Sequence, residues 1–279
     1  MQYCDLHTHS DHSDGTCTAA RVVQLAKEAG LAAVALCDHN TVSGLPEFLE
    51  EGKRLGIRTV PGIEFSTDYK AVELHILALF VKPEHYEAVT QRGDSYRRNK
   101  EQSDVVLCRA LTDAGYPLDY EEIKGQTADG FVNRAVIGAQ MVRKGYVGSV
   151  KEAFKNFLDP KWGYYQPPKR PDAFDTIRFI KSIGAIAVLA HPFLNLDQKE
   201  LELFLVEAVQ AGLDAMEVLY SKYDEDTARL SAELADKYGL LPSGGSDFHG
   251  QNKPDIAVGV GRGNLQIPYS WLEDLKNNI

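Results

Sequence analysis

Six of the eight histidines in this chain lie at the ends of short apolar runs, beside polar turns and carboxylates. Three of those carboxylates complete a set of nitrogen and oxygen donors that is spread over almost the whole sequence. The set is His7, His9, Asp14, His39, Glu64, His75, His191, Asp247 and His249. Imidazole with carboxylate suits Mn²⁺, Fe²⁺ or Zn²⁺, whereas so many nitrogens disfavour Mg²⁺. A centre of two or three such ions predicts metal-assisted hydrolysis.

The spacing of two pairs in this set supports a shared site. His7 and His9 are two residues apart, so on a strand they project from one face together with Asp5. The same spacing recurs in Asp247 and His249, which follow a Gly-Gly-Ser sequence that permits close approach of the backbone. Two donors on one strand face are suited to binding a single ion.

Each candidate also has an ordinary structural explanation when it is taken alone. His7 and His9 are then a chance surface pair, His75 a satisfied core histidine, Glu64 an exposed side chain at the sheet rim and Asp14 a turn residue before Gly15. His191 would be capped by a carbonyl, and Pro192 after it predicts an extended backbone. Nine such coincidences at strand ends are harder to accept than one common site, so we interpret the set as a metal centre.

Further residues near this set carry weaker predictions. His12, in a polar turn, is a candidate for contact with substrate or with a third ion, the alternative being a solvated or supporting role. Asp5 and Asp38 are candidates to orient neighbouring ligand histidines, although Asp38 could instead cap the following helix. No cysteine joins the set, which argues against a structural zinc site of the cysteine type.

Alternating elements must position these side chains. Strands are predicted at 2–7, 33–38, 58–63, 73–81, 185–190, 215–219 and 240–244, with helices at 19–29, 45–55, 172–183, 198–211 and 224–238. Thr18 is the expected N-cap of the first helix. The alternation predicts an α/β fold with a largely parallel sheet. We expect a barrel or distorted barrel of about seven strand–helix units, with its site at the carboxyl ends of the strands.

A helical insertion separates the two halves of this pattern. Residues 83–170 contain no convincing strand and read as helices at 84–115, 119–123, 132–144 and 149–158, the first with a potential break near Gly93. We therefore predict a barrel domain of residues 1–82 and 171–279 and a cap domain of residues 83–170. Residues 92–170 hold 14 of the 30 Lys and Arg and 10 acidic residues, a balance of +4, so the remainder carries −14. Such a cap suits an anionic ligand, the alternative being a solvated basic surface.

The totals exclude several classes of protein. A net charge of −10 argues against a broad DNA- or RNA-coating surface, and we expect no stable DNA partner. No apolar run approaches the roughly 18 residues of a membrane span. The four cysteines form no CxxC pair or disulfide pattern, and no leader-like segment opens the sequence, so we predict a cytoplasmic protein without a membrane association.

As an ordered set, these motifs resemble the polymerase and histidinol phosphatase (PHP) superfamily of metal-dependent phosphoesterases. The motifs span residues 5 to 249: Asp5-Leu-His-Thr-His-Ser-Asp-His-Ser-Asp-Gly, Ala35-Leu-Cys-Asp-His-Asn-Thr, Pro61-Gly-Ile-Glu-Phe-Ser, Glu73-Leu-His-Ile-Leu, Leu189-Ala-His-Pro and Gly245-Ser-Asp-Phe-His. The resemblance implies a distorted (β/α)7 barrel with a trinuclear site. It assigns His7, His9, Glu64 and Asp247 to one ion, Glu64, His75 and His191 to a second, and Asp14, His39 and His249 to a third.

Within the superfamily, the insertion is similar to that of nucleoside 3′,5′-bisphosphate phosphatases, some of which also trim short 5′-phosphorylated RNA from the 5′ end. The likeness rests on the segments 142–147, 150–154 and 164–169, and on Arg134, which the resemblance implies as a phosphate contact. That branch usually continues Arg-Pro-His, whereas Ala135 and Val136 follow Arg134 here. Lys169 and Arg170 are further candidates for phosphate, since guanidinium and ammonium groups suit this anion.

We therefore expect an enzyme that removes a phosphate from a small nucleotide, most simply the 3′-phosphate of a nucleoside 3′,5′-bisphosphate. His12, Arg134 and Lys169 are its predicted substrate-binding residues, and two to three divalent ions its cofactors. Two alternatives stay open at this point. One is a phosphatase of another metabolite, such as histidinol phosphate. The other is a non-catalytic module that binds metal or nucleic acid, although a decayed site should have lost ligands and none is missing.

Overall fold

Eight strands form one mixed sheet in the computed structural model, which describes residues 2–127 and 132–279. The strands are β1 (Tyr3–Asp5), β2 (Ala33–Leu36), β3 (Arg58–Tyr69), β4 (Val72–Leu79), β5 (Ile186–Leu189), β6 (Ala215–Tyr220), β7 (Leu241–Gly245) and β8 (Ile267–Pro268). Their order across the sheet is β7-β6-β5-β4-β3-β2-β1-β8. The predicted seven strands are therefore present, with β8 added as a short antiparallel partner of β1.

Backbone hydrogen bonds beyond the ends of β1 and β7 nearly close this sheet into a barrel. The amide of Leu6 donates to the carbonyl of Gly244 at 3.2 Å. The amide of Asp247 donates to the carbonyl of His7 at 2.8 Å. The amide of His9 then donates to the carbonyl of Phe248 at 2.9 Å. Closure thus brings His7 and His9 beside Asp247 and His249 at one rim.

The polarity of the sheet differs from the predicted largely parallel arrangement. The β1–β2, β2–β3, β5–β6 and β6–β7 pairs are parallel, but β4 is antiparallel to both β3 and β5. A two-residue turn at Lys70 and Ala71, both at positive φ, reverses the chain between β3 and β4. As a result His75 lies within β4, opposite Ser66 of β3, rather than at the carboxyl end of a strand. It still reaches the site rim because β4 begins there.

Ten α-helices complete the described elements. They are α1 (Ala19–Glu28), α2 (Leu45–Leu55), α3 (Tyr86–Asp113), α4 (Tyr120–Lys124), α5 (Arg134–Arg143), α6 (Val150–Ala153), α7 (Ala173–Ser182), α8 (Gln198–Ala211), α9 (Glu225–Lys237) and α10 (Tyr269–Asn277), with a π-helical turn at Phe154–Leu158. Thr18 is the N-cap of α1, as predicted, and accepts the amide of Arg21. In residues 2–127 and 132–279, no helix is long and apolar enough to cross a membrane.

Two apolar clusters lie on opposite faces of the sheet because successive strand residues point to opposite sides. One fills the barrel interior with alternate residues such as Ala33, Ala35, Leu77 and Leu79, together with Leu272 of α10. The other packs the outer face against the surrounding helices, with Val34, Leu36, Ile76 and Ala78 among its members. The apolar interior leaves the polar site confined to the rim.

The chain divides into two compact units, residues 1–93 with 171–279 and residues 94–170. The first unit ends at Gly93, within α3, because the first turns of this helix pack on the barrel: a Cβ at Gly93 would lie 2.1 Å from the carbonyl oxygen of Asn40. The potential break near Gly93 was a wrong expectation, since α3 runs through it. The second unit has its own apolar cluster, which includes Leu107, Leu111 and Ile137. The cap domain of residues 83–170 stays a prediction.

Gly245 is required where the barrel closes. A Cβ at this position would lie 2.1 Å from Cβ of His7 and 2.7 Å from its amide nitrogen. We expect Gly245→Ala to destabilise the fold by about 1–3 kcal/mol or more, because backbone as well as side chain must move. Urea unfolding of this variant beside Gly125→Ala, whose new methyl meets its nearest atom at 3.4 Å, measures the effect. Equal midpoints for the two variants would contradict it.

Candidate metal centre

The barrel rim gathers the nine predicted ligands from seven segments of the chain. His7 and His9 follow β1, Asp14 lies in the loop before α1, and His39 follows β2. Glu64 and His75 lie in β3 and β4. His191 follows β5, and Asp247 and His249 follow β7. His7, His9 and Glu64 are fully buried, and the others are buried or half-buried.

The carboxylate of Glu64 lies at the centre of this cluster. Its two oxygens are within 3.3 Å of a nitrogen from each of five histidines. Oε2 lies 3.3 Å from Nε2 of His7, 3.2 Å from Nε2 of His9 and 3.2 Å from Nε2 of His39, and Oε1 lies 2.8 Å from Nδ1 of His75 and 3.1 Å from Nε2 of His191. One carboxylate therefore faces donors from β1, β2, β4 and β5 and is placed to bridge ions.

Asp14 and Asp247 extend the cluster on the other side of His9. Oδ1 of Asp14 lies 3.1 Å from Nε2 of His249, and Oδ2 lies 3.9 Å from Nε2 of His39. Oδ1 of Asp247 lies 3.3 Å from Nε2 of His9. The contact of Asp14 with His249 is within hydrogen-bond range, and the other two are longer. All three pairs direct their polar atoms into one pocket.

Three groups of donors are close enough for each to hold a cation. They are His9 with Asp14, His39 and His249, then His7 with His9 and Glu64, and then His39 with Glu64 and His75, the donor atoms of each group lying within 4.8 Å of one another. His191 and Asp247 adjoin these groups through Glu64 and His9. The structure therefore brings all nine predicted residues together.

Polar atoms without hydrogen-bond partners show that this donor set fits cations. Nδ1 of His9, Nδ1 of His39 and Oε2 of Glu64 are buried and make no hydrogen bond, although Oε2 has several nitrogens nearby. Nε2 of His7 lies only 3.0 Å from Nε2 of His9. Buried polar atoms normally find partners, and leaving them without any costs free energy. Divalent ions between these atoms would satisfy them.

The charges of the cluster displace the pKa values of its members in opposite directions. Burial acts to raise the pKa of Glu64 and of Asp247, but neighbouring histidines outweigh it and hold both well below their usual range. Burial acts to lower the pKa of His75 and His9, but Glu64 and other carboxylates raise these values to about 10 and about 9. Burial prevails at His39 and lowers its pKa to about 4.

Metal binding should therefore release protons. At pH 7 the metal-free protein carries protons on His9 and His75, whose raised pKa values lie above that pH, and a cation must displace them. We expect the apparent affinity for Mn²⁺ to rise with pH up to about pH 10, the higher of these two pKa values. Calorimetric titration in two buffers of different ionisation enthalpy measures the number of protons released. Identical heats in both buffers would contradict this prediction.

Comparisons with known proteins agree with this geometry. The PHP domain model matches residues 5–120. A 5′-3′ exoribonuclease of Haemophilus influenzae is 32% identical over 88% of this chain and 89% of its own length. The chain belongs to the PHP family. The PHP protein is accordingly a hydrolase, a metal-dependent phosphoesterase.

Two further relatives and two solved structures are similar to this chain over most of its length. A phosphoribosyl 1,2-cyclic phosphate 1,2-diphosphodiesterase of Eggerthella lenta is 32% identical over 88% of this chain and 94% of its own. A 3′,5′-nucleoside bisphosphate phosphatase of Chromobacterium violaceum is 27% identical over 93% of this chain and 91% of its own length. A candidate metal-dependent phosphoesterase from Bifidobacterium adolescentis superposes with a TM-score of 0.82, 25% identity and 98% and 95% coverage. An amidohydrolase from Chromobacterium violaceum, with bound sulfate and no metal, superposes with a TM-score of 0.84 and 26% identity. That match covers 99% of this chain and 96% of the other.

One residue at the PHP site was missed in the sequence. Glu217 of β6 is fully buried, and its Oε1 lies 2.9 Å from Nδ1 of His7 while its Oε2 accepts the amide of His191 at 2.7 Å. A charged residue inside the apolar strand Ala215–Tyr220 was the available signal, because burial of a carboxylate is costly unless it is paired.

Two further residues that the sequence did not indicate contact Asp247. The hydroxyl of Tyr220 donates to Oδ2 of Asp247 at 2.7 Å, and Nζ of Lys253 donates to the same oxygen at 2.6 Å. Oδ1 is left facing His9 and His249. Nothing in the sequence indicated either residue. Tyr220 ends the apolar strand β6, and Lys253 lies in a loop without a regular pattern.

The backbone of two candidate ligands adopts conformations that are rare for residues with a side chain. His191 has φ 29° and ψ 53°, and Asp247 has φ 56°. The predicted extended conformation of His191 before Pro192 is therefore wrong. The carboxylate of Glu217 fixes the amide of His191 in the turn instead. Such strain is frequent at functional sites, where surrounding contacts hold it.

Asp5 and Asp38 of the PHP site accept hydrogen bonds from backbone amides and hydroxyls rather than from imidazole rings. Asp38 accepts the amide and the hydroxyl of Ser10 at 2.7 and 2.6 Å, which fixes the loop that leads to Asp14. Asp5 accepts the amides of Ser246 at 2.9 Å and of Gly259 at 2.8 Å. Both differ from the expected orientation of a histidine ring, because each carboxylate is surrounded by amides and hydroxyls.

The predicted substrate-binding residues lie outside the nine-residue cluster. Nδ1 of His12 is 2.9 Å from Oγ of Ser43, and its Nε2 is 3.8 Å from Glu47. In the second unit, the guanidinium of Arg134 lies over the ring of Tyr165 at 4.3 Å. It also donates to the carbonyl of Leu158 at 3.2 Å. Lys169 is exposed, and Arg170 is half-buried. Their role toward substrate stays a prediction.

Proposed function

We propose that this PHP phosphoesterase hydrolyses the 3′-phosphate of nucleoside 3′,5′-bisphosphates. The observation that carries the proposal is the single buried cluster of six histidines and three carboxylates around Glu64. Its chemistry suits a phosphate ester, since several cations in one pocket would attract and polarise a small dianion. The bisphosphate phosphatase of Chromobacterium violaceum, similar over 93% of this chain, supports this choice of substrate.

We assign the metal ligands by combining this geometry with the family pattern. His7, His9, Glu64 and Asp247 would hold one ion, Glu64, His75 and His191 a second, and Asp14, His39 and His249 a third. Mn²⁺, Fe²⁺ or Zn²⁺ suits these nitrogen-rich donors better than Mg²⁺. When bound, the ions would lower the pKa of water and stabilise the charge that develops on phosphate oxygens.

The side chains of the site have separate tasks in the proposed reaction. Water adds to phosphorus, the bond between phosphorus and O3′ breaks, and a proton passes to the leaving oxygen, which yields inorganic phosphate and a nucleoside 5′-monophosphate. Glu64 lies within 3.3 Å of five histidine rings and would anchor the ions that they share. Asp247, held at Oδ2 by Tyr220 and Lys253, keeps Oδ1 directed into the pocket. Positioning of this kind supplies much of the rate enhancement in phosphate transfer.

A second candidate activity is 5′-3′ exonucleolytic cleavage of short 5′-phosphorylated RNA. The exoribonuclease of Haemophilus influenzae, 32% identical over 88% of this chain, favours it. The chemistry of the two activities is closely related. Removal of the first nucleotide from the 5′ end as a 5′-monophosphate breaks the same bond between phosphorus and O3′. A site that serves one substrate can therefore serve the other if the pocket admits a longer chain.

We further propose that residues 83–170 form a cap that binds the second phosphate of the substrate. The balance of +4 in residues 92–170 supports this role, and Arg134, Lys169 and His12 are the candidate contacts. Guanidinium and ammonium groups bind phosphate with charge-assisted hydrogen bonds. We propose a cytoplasmic location, consistent with four free cysteines among the described residues. The expected partners are a small nucleotide or short RNA.

The test is phosphate and nucleotide release by the purified protein with Mn²⁺. The panel contains nucleoside 3′,5′-bisphosphates, 3′- and 5′-monophosphates, a 1,2-cyclic phosphate of phosphoribose, histidinol phosphate and short RNA with and without a 5′-phosphate. We expect the highest kcat/KM for bisphosphates. Arg134→Ala should raise KM for bisphosphates more than for 3′-monophosphates. Preference for histidinol phosphate or the cyclic phosphate would overturn the substrate proposal, and no hydrolysis with metal bound would overturn the activity itself.

A further inference from the structure

Glu217 occupies a place in the site that no metal ligand fills. It lies on β6, the strand between the two strands that lead to His191 and Asp247, and it is fully buried. The pairing of β6 with β7 shifts register between Glu217 and Leu219. Register shifts of this kind bend a strand and redirect a side chain, and they are frequent beside active sites. The carboxylate thereby reaches the rim from a strand that supplies no ligand itself.

The two oxygens of Glu217 serve two different ligand segments. Oε1 lies 2.9 Å from Nδ1 of His7, and Oε2 accepts the backbone amide of His191 at 2.7 Å. The rings of His7 and His191 stack with centroids 5.7 Å apart and planes 19° apart. One buried carboxylate therefore sets the relative position of donors that follow β1 and β5, which are not neighbours in the sheet.

The contact with His7 also fixes which nitrogen carries the proton. A carboxylate can only accept, so Nδ1 of His7 must donate. In the neutral ring, Nε2 is then left with a free lone pair, and it is Nε2 that faces His9 and Glu64 at 3.0 and 3.3 Å. A carboxylate behind a metal-binding histidine commonly selects the ligand tautomer in this way.

The contact with His191 holds a backbone that would otherwise relax. With φ 29° and ψ 53°, this residue lies where side-chain-bearing residues are strained, and it precedes Pro192. The hydrogen bond to Glu217 stabilises that turn, and in the turn Nε2 of His191 lies 3.1 Å from Oε1 of Glu64. Without it, we expect the ring to move away from Glu64.

We infer that Glu217 is a positioning residue that assembles two metal sites at once, by selecting the tautomer of His7 and by holding the strained turn at His191. The inference rests on the metal ligands proposed above. It adds a residue outside that set whose loss disturbs ligands of two ions, while every proposed ligand stays in the chain.

The test is Glu217→Gln, which keeps the size of the side chain but replaces one accepting oxygen by a donating amide. The amide has one accepting oxygen, so it cannot accept from both Nδ1 of His7 and the amide of His191. Either one contact is lost, or the amide nitrogen donates to Nδ1 of His7 and forces the opposite tautomer. We expect Mn²⁺ affinity, measured by calorimetry, to fall by about 10- to 100-fold. In nitrogen-15 spectra of the Zn²⁺-loaded protein, we expect His7 in the Nδ1–H form in the unmodified chain, and the His7 or His191 signals to change in the variant.

Glu202→Gln is the matched control, since it makes the same chemical change on the exposed face of α8, where Glu202 pairs with Lys237. It should leave Mn²⁺ binding and the imidazole spectra unchanged. Mn²⁺ affinity and His7 tautomer identical in Glu217→Gln and the unmodified chain would overturn the inference while leaving the proposed function intact. An unmodified chain that binds no Mn²⁺, Fe²⁺ or Zn²⁺ would overturn both. If Glu217→Gln unfolds, the tautomer of His7 in the unmodified protein decides, and an Nε2–H form contradicts the inference.

Discussion

Glu64→Gln is expected to lower phosphate release by roughly 1000-fold or more, because the variant loses the carboxylate shared by five histidines. The substituted amide is nearly the same size, so packing is retained. It carries no charge, however, and its nitrogen would face imidazole nitrogens or bound cations. We therefore expect fewer metal ions per chain as well as slower turnover, measured by elemental analysis and by a phosphate-release assay on one preparation.

The control for this prediction is Glu73→Gln, in the neighbouring strand β4. Glu73 also contacts a candidate ligand, with Oε1 3.4 Å from Nε2 of His75, but its side chain is 34% exposed, whereas that of Glu64 is fully buried. A modest effect is expected there. Glu64→Gln with metal content and turnover close to those of the unmodified protein would show that this carboxylate does not bridge ions.

Removal of metal is expected to abolish hydrolysis and to lower thermal stability. Without cations, Nδ1 of His9, Nδ1 of His39 and Oε2 of Glu64 are buried and make no hydrogen bond, and burial of such atoms is costly. Ions at 100 times their dissociation constant stabilise the fold by about 2.7 kcal/mol per site. For a chain of this size that corresponds to a melting temperature higher by roughly 5–10 °C. Dialysis against a chelator, followed by scanning calorimetry and assay, measures both effects.

Reconstitution supplies the control for metal removal. Adding Mn²⁺ after the chelator is removed should restore hydrolysis and the higher melting temperature together. The same cycle applied to His9→Ala should restore neither fully, whereas His85→Ala, a histidine outside the cluster, should behave as the unmodified chain. Full hydrolysis by a preparation without detectable transition metal would contradict this prediction.

The position of the ligands could be predicted because simple periodicities place them. His7 and His9 share a strand face, and the closure of the barrel puts Asp247 and His249 beside them. Glu64 could be identified because a carboxylate closing an apolar run needs a partner. These arguments depend only on strand geometry and on the free energy of burying charge, which act locally along the chain.

The polarity of β4 could not be predicted in the same way. Reversal between β3 and β4 uses a two-residue turn at Lys70 and Ala71, with φ of 50° and 68°. Turns with two positive φ values are usually marked by Asn or Gly, and neither occurs here. The sequence therefore indicated one more parallel strand, whereas β4 runs antiparallel to β3 with His75 in its first half.

Glu217 could have been identified from the sequence, because a carboxylate within an apolar strand needs a partner. It interrupts the apolar strand Ala215–Tyr220, and Glu64 follows the apolar residues 60–63 within β3, so the same free-energy argument applies to both. The left-handed turn of His191 had no such signal. Pro192 favours an extended residue before it, and only the tertiary contact with Glu217 reverses that preference.

Anomalous scattering from crystals of the purified protein grown with Mn²⁺ tests the central claim most directly. We predict two or three peaks at the barrel rim, with Glu64 beside two of them and every peak coordinated by side chains of the nine-residue set. Crystals at full Mn²⁺ saturation with no peak among these side chains, or with Glu64 coordinating nothing, would contradict the account.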